Sequence, residues 1–132
     1  MSNLDLWPDN LLEEIPRSPL EILSSQAALL GSKTQNIILA DVASTINETG
    51  KFILCFYLRV PSLSNYQFDL FSVWHGIDLY PVHDTATERA LKNEQQLINF
   101  IVEKLNDKRT VKIIRALAAQ TRKIKPFDDI PF

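Results

Sequence analysis

Imidazoles and carboxylates suited to metal binding or proton transfer cluster in one segment: His75, Asp78, His83, Asp84 and Glu88. Two imidazoles with nearby carboxylates could ligate a divalent metal or act as acid and base. If residues 77–82 stay extended, His75 and His83 lie about 26 Å apart, at about 3.3 Å per residue. Only a sharp reversal at Gly76 would bring them to one ion. The simpler alternative places His75 at a strand end beside a polar partner and leaves His83 in solvent.

A row of basic side chains near the C-terminus could contact phosphates: Lys108, Lys112, Arg115 and Arg122. Spacings of four, three and seven put these residues on one face of a helix, the electrostatic pattern of many nucleic-acid binders. The net charge of the chain is −2, and no stacking-aromatic motif accompanies the row. A helix face in solvent is usually charged, which is the simpler explanation, and the row could also attract the chain's own acidic N-terminal arm or its Asp128-Asp129 tail.

Other common chemistries have little support in the sequence. The three glycines, Gly31, Gly50 and Gly76, are too scattered for a phosphate-binding loop or a dinucleotide fingerprint, and we expect no cofactor. Cys55 is the only cysteine and lies between Leu54 and Phe56, which predicts a buried thiol that packs as a small apolar side chain. Covalent catalysis is therefore not expected, and the chain is predicted to be non-enzymatic.

The last residues have the composition of a docking peptide: Asp128, Asp129, Ile130, Pro131 and Phe132. A terminal aromatic and a proline suit an apolar pocket. The α-carboxylate suits an Arg or Lys, and the two acids suit a basic rim. The pattern predicts an exposed tail over residues 126–132 and a protein partner with a small, basic, apolar pocket.

This tip resembles the C-terminal tip of bacterial single-stranded DNA-binding proteins, which end in the same five residue types or close variants. In that family the tip recruits replication, recombination and repair proteins. The resemblance implies that Phe132 and Pro131 are the anchor, with Asp128 and Asp129 as electrostatic support. It covers five residues only. The rest of the chain lacks the family's Gly/Pro/Gln-rich linker, its acidic stretch before the tip and an oligonucleotide-binding barrel. A mimic of the tip, an accessory protein of the same machinery, or a tip packed on its own domain all remain open.

The elements that position these residues begin with a helix. Ser18 and Pro19 offer an N-cap hydroxyl and a proline at the first helical position. Leu20, Leu23 and Ala27 follow at helical spacing, and Gly31 is a candidate for the left-handed residue that ends the helix. Residues 1–17 are interpreted as an extended arm laid on the domain.

The middle of the chain carries alternating β-branched and aromatic residues that predict three strands, at about 36–46, 51–60 and 66–75, and a short edge piece at 77–82. Residues 47–50 suit a hairpin turn and residues 61–65 a longer connection. Both faces of the second strand are apolar, which predicts a central strand covered on both sides. The expected sheet is an antiparallel meander, whose exposed edge makes a homodimer plausible.

Two helices are predicted to follow the strands. Thr85 and Glu88 have capping-box spacing and would open the first of them, with Leu91, Ile98 and Leu105 on one stripe. The other runs from about 108 to 122. The segregation of strands from helices indicates an α+β fold with three to four strands, one N-terminal helix and two C-terminal helices. We expect a single domain over residues 18–125, no signal peptide or membrane span, and a cytoplasmic location.

Overall fold

The computed structural model describes residues 4–122 and has the expected α+β class. The elements in chain order are α1 (Pro19–Lys33), β1 (Leu39–Ile46), β2 (Phe52–Val60), a short 3₁₀ helix (Pro61–Leu63), β3 (Tyr66–His75), β4 (Val82–Asp84), β5 (Ala90–Leu91), α2 (Glu94–Leu105) and α3 (Lys108–Gln120). The strands form one antiparallel sheet in the order β1-β2-β3-β4-β5. The sheet thus has five strands rather than three or four, because the chain after Gly76 returns as two short strands.

One face of the sheet and the three helices enclose a single apolar core. Every second residue of β2 from Leu54 onward, including Phe56 and Leu58, is buried on that face. Leu23 of α1, Phe100 of α2 and Leu117 of α3 belong to the same cluster. The strand alternation and the helical spacing therefore converge on one core.

The other face of the sheet departs from the prediction for β2. Ile53, Cys55, Tyr57 and Arg59 are only partly buried, although the sequence suggested a strand covered on both sides. The difference arises because these side chains pack against those of neighbouring strands, such as Trp74 opposite Ile53. No helix of the described chain packs on this face. Cross-strand neighbours explain the apolar character of Ile53, Cys55 and Tyr57 on this face, and Arg59 pairs with Asp41 at 3.5 Å.

The helix α1 begins as predicted and ends differently. The Ser18 hydroxyl accepts a hydrogen bond from the Glu21 amide at 3.1 Å. The helix continues past Gly31 to Lys33, with Thr34 as C-cap. Gly31 is not the left-handed residue, since Gln35 and Asn36 have that conformation. Glycine serves close packing instead: a Cβ there would lie 3.0 Å from Asn36 Oδ1 and 3.1 Å from a methyl of Leu39.

The two connections of the meander have the predicted turns. Asn47 closes the β1–β2 hairpin, since its side-chain oxygen accepts from the amides of Thr49 and Lys51, and Gly50 has a positive φ of 82°. Ser64 and Asn65, which follow the 3₁₀ helix, are left-handed as well. Turn residues here determine the strand register.

The prediction that Thr85 opens the second helix is wrong. Residues 85–88 form the turn between β4 and β5, and Glu88 is left-handed with φ 61°, a conformation that interrupts a helix. The helix α2 begins only at Glu94, where the Asn93 side chain accepts from the Gln96 amide at 2.9 Å. Leu91 is accordingly a buried strand residue. The expected edge piece at 77–82 is displaced too, because β4 starts at Val82, after Pro81.

The helix α3 follows α2 closely. The Asp107 side chain accepts from the Arg109 amide, and the Thr110 hydroxyl donates to the Lys104 carbonyl at 2.7 Å, which joins the two helices. Thr110 and Leu117 are its buried residues. No helix within residues 4–122 is both long and apolar enough to cross a bilayer.

Candidate interaction surfaces

The two histidines are close in the sheet but lie on opposite faces. The chain reverses between Gly76 and Pro81, so that His83 pairs with Trp74, the residue before His75. His75 is buried on the core face, stacked on Phe52 at 5.2 Å, with Nδ1 2.7 Å from the Gly76 carbonyl oxygen. His83 lies on the outer face. Because neighbouring strand positions alternate in direction, the two imidazoles do not face one site.

The carboxylates near the two histidines do not form a common site. Asp84 is buried, and its two oxygens accept from the Ala86 amide at 3.2 Å and the Thr87 hydroxyl at 2.7 Å. Asp78 and Glu88 are exposed in different turns. Within residues 4–122 no three His, Cys, Asp or Glu side chains are grouped to hold a metal ion. The structure does not gather the residues of the metal hypothesis.

Trp74 forms the centre of an aromatic and cationic cluster on the outer face. The His83 ring stacks on it with centroids 4.0 Å apart, and Lys51 Nζ lies 4.2 Å from the indole centroid. Lys51 approaches from the β2 side of β3, whereas His83 approaches from the β4 side. The indole thus contacts two side chains of its own domain, which reduces the ring area available for stacking on a nucleic-acid base.

Cys55 also lies on the outer face and is half-buried rather than fully buried. Burial raises the pKa of its thiol, and the neighbouring Asp69 carboxylate raises it further. A raised pKa lowers the thiolate fraction at neutral pH. The partial exposure of Cys55 differs from the expected buried thiol, because no helix of the described chain covers this face of the sheet.

The basic row occupies the solvent side of α3. Lys108, Lys112, Arg115 and Arg122 are all exposed. None forms an ion pair with another residue in the range 4–122, where the pairs present are Arg17–Glu94, Arg59–Asp41 and Arg89–Glu103. The row is thus available for an anionic ligand as far as the described chain is concerned.

The N-terminal arm, defined here as residues 4–15, presents the most unusual surface. Six of its large apolar side chains are exposed: Leu4, Leu6, Trp7, Leu11, Leu12 and Ile15. The arm is not laid on the domain, in contrast to the expectation from the sequence. It has local order, with the Trp7 amide donating to Asp5 and the Glu13 amide donating to the Asn10 carbonyl. Contiguous exposed apolar surface is typical of an interaction site.

An apolar groove crosses the helical side of the domain in two abutting sections. The first, of about 230 Å³, lies between α1 and α2, and the second, of about 350 Å³, lies between α1 and α3 above the sheet. Gln26, Leu105 and Asn106 line both sections. Leu70, which the β2–β3 register skips at a bulge, contributes to the floor. The groove is hereafter called the helical groove.

Sequence patterns identified some of these surfaces and missed others. The basic row was evident from its spacing. The helical groove was not predicted, because three segments distant in the chain build it. The predicted docking residues Asp128, Asp129, Ile130, Pro131 and Phe132 lie outside the described residues. No protein family, curated protein or solved structure matches the chain.

Proposed function

We propose that this protein is a non-enzymatic protein-interaction domain. The observation that supports this most directly is the N-terminal arm, where six large apolar side chains stand in solvent on one short segment. Without a partner, the apolar surface of these side chains stays in water. Burying that surface in an interface would be favourable by about 25 cal/mol per Å². A surface of this kind is best explained by a protein that covers it.

The C-terminal tip supplies a second docking element in this proposal. Its resemblance to the tip of bacterial single-stranded DNA-binding proteins suggests partners in DNA metabolism that hold a basic, apolar pocket. Phe132 and Pro131 would occupy the pocket, and Asp128 and Asp129 would meet its rim. This part of the proposal is carried by sequence alone.

The test is affinity capture from bacterial lysate with three versions of the chain: intact, lacking residues 130–132, and carrying Leu11→Glu with Leu12→Glu. Partners captured by the intact chain and absent with either variant would support an interaction domain and assign each partner to an end. The same partner set with all three versions would contradict the proposal. Ile77→Glu is a matched control, because Ile77 is also highly exposed and lies far from both ends in the sequence.

A second candidate, nucleic-acid binding through α3, is favoured by the exposed basic row that lacks ion pairs within residues 4–122. Neutralising Lys112 and Arg115 should then weaken binding of a DNA oligonucleotide by removing about two phosphate contacts. The slope of the logarithm of the binding constant against the logarithm of salt concentration should become less negative by about 1.8, at about 0.9 per contact. Binding unchanged by the double substitution would exclude this role for the row.

A further inference from the structure

We propose that the N-terminal arm binds the helical groove of a second copy of this chain, so that two copies exchange arms reciprocally. The inference rests on the proposed interaction function and names the partner of the arm. It needs neither the C-terminal tip nor nucleic acid.

Chemical complementarity is the first argument. The arm contains apolar side chains and four acids, Asp5, Asp9, Glu13 and Glu14, and no basic residue. The charged side chains that line the helical groove are Lys33 and Arg17, of which Arg17 is paired with Glu94, and no carboxylate of the described chain lines either section. The rest of the lining is apolar except for four neutral polar residues: Ser25, Gln26, Asn106 and Thr110. An apolar, acidic segment thus meets an apolar, cationic groove. Opposite charges at the rim favour this pairing over the pairing of like surfaces.

The groove also has exposed apolar lips. Leu29 on α1 is 48% exposed and Val102 on α2 is 55% exposed, and each lines one of the two sections. Most large apolar residues of the helices are buried or partly buried in the core, so these two stand out. Covering them requires apolar atoms from outside the described domain.

The shape of the arm suits a groove between helices. Residues 9–14 lie in turns, with one backbone hydrogen bond from the Glu13 amide to the Asn10 carbonyl at 3.2 Å. Glu14 is left-handed with φ 55°, so the arm is a turn rather than a helix, and it presents the exposed side chains of Leu11, Leu12 and Ile15 within five residues. A short segment with several exposed apolar side chains is a common occupant of an apolar groove.

The geometry of a single copy favours exchange over docking within one chain. Arg17, at the base of the arm, lines the α1–α2 section and pairs with Glu94 at 3.3 Å. The arm therefore leaves the domain at the mouth of its own groove, yet its side chains are exposed and no residue in the range 4–122 covers the groove. A two-fold axis beside this mouth brings each arm to the other copy's groove, and a two-fold arrangement closes without leaving a free site.

The experiment is sedimentation velocity on the full chain over a wide concentration range, with four proteins. They are the intact chain, an arm variant (Leu11→Glu with Leu12→Glu), a groove variant (Leu29→Glu with Val102→Glu) and the control Ile77→Glu. All substituted positions are exposed, so circular dichroism should show an unchanged fold. The intact chain and the control should form dimers. The dimer dissociation constant of the arm variant and of the groove variant should each rise at least about a hundredfold. Each variant disrupts both reciprocal arm–groove interfaces, and each interface is expected to lower the dissociation constant at least about tenfold.

Mixing the two variants is the decisive measurement. A copy with an intact groove and a copy with an intact arm can form one of the two arm–groove interfaces. Labelled arm variant and labelled groove variant should therefore associate more tightly with each other than either does with itself, as read by energy transfer. A monomeric intact chain, a dimer insensitive to both variants, or no gain on mixing would each overturn arm exchange. Arm-dependent capture of another protein by a chain that stays monomeric would overturn it too, while leaving the proposed interaction function supported.

Discussion

Replacing Leu12 in the arm should leave the stability of the folded monomer almost unchanged. Leu12 is 83% exposed, whereas Leu23 in α1 is fully buried. Full burial of a leucine stabilises by about 1.5–3 kcal/mol, so the small buried part of Leu12 contributes at most about 0.5 kcal/mol. Leu12→Ser should therefore change the free energy of unfolding by no more than about 0.5 kcal/mol. The control Leu23→Ala should cost about 2–5 kcal/mol.

The assay is urea unfolding followed by circular dichroism, first at the lowest protein concentration that gives a signal. At that concentration a loss above about 1.5 kcal/mol for Leu12→Ser would refute the reasoning, because it would show that the arm packs on its own domain. At higher concentration the intact chain should become more stable and the variant should not, since a partner that binds only the folded state stabilises it by mass action.

Three further predictions concern the body of the domain. Asp84→Ala should lower the free energy of unfolding by about 1–2 kcal/mol, because the Ala86 amide and the Thr87 hydroxyl lose their acceptor. Asp84→Asn keeps an acceptor oxygen and should recover most of the lost stability. Equal urea midpoints for the two variants would contradict this prediction. Tyr80→Phe should not reduce the melting temperature, since the buried Tyr80 hydroxyl has no hydrogen-bond partner within residues 4–122. A clear decrease in the melting temperature would show that the hydroxyl does form a hydrogen bond. Burial and Asp69 raise the pKa of Cys55, so iodoacetamide should alkylate the folded chain with a half-maximal pH above that of the urea-unfolded chain. Asp69→Asn should lower the half-maximal pH of the folded chain. A half-maximal pH of the folded chain at or below that of the unfolded chain would be inconsistent with this environment.

Elements with local signals were predicted well. The strand β3 runs from Tyr66 to His75 as the alternation indicated, and α3 begins at Lys108. The turn at 47–50 follows from Asn47 and Gly50 alone. In each case the decisive interactions join residues within a few positions of one another, so the sequence carries them directly.

Features that depend on distant partners were missed. The strand β5 has only two residues and exists because Ala90 and Leu91 pair with β4. The turn before it is held by Asp84, and the same carboxylate that looked like a metal ligand accepts hydrogen bonds from that turn. Gly31 matched the pattern of a helix end, but close packing against Asn36 and Leu39 explains it. Residue type alone does not distinguish these roles.

The two ends of the chain share one chemistry, and that determines how the interaction experiments must be interpreted. The arm combines Leu11 and Leu12 with acids, and the tip combines Phe132 with Asp128 and Asp129. A basic, apolar surface would therefore attract either end. Each end must therefore be changed while the other stays intact, so that a loss of binding can be assigned to one end. A partner that fails to bind only after Leu11→Glu and Leu12→Glu recognises the arm, and a partner that fails to bind only without Phe132 recognises the tip. A partner whose binding is weakened by each change offers one surface for which the two ends compete.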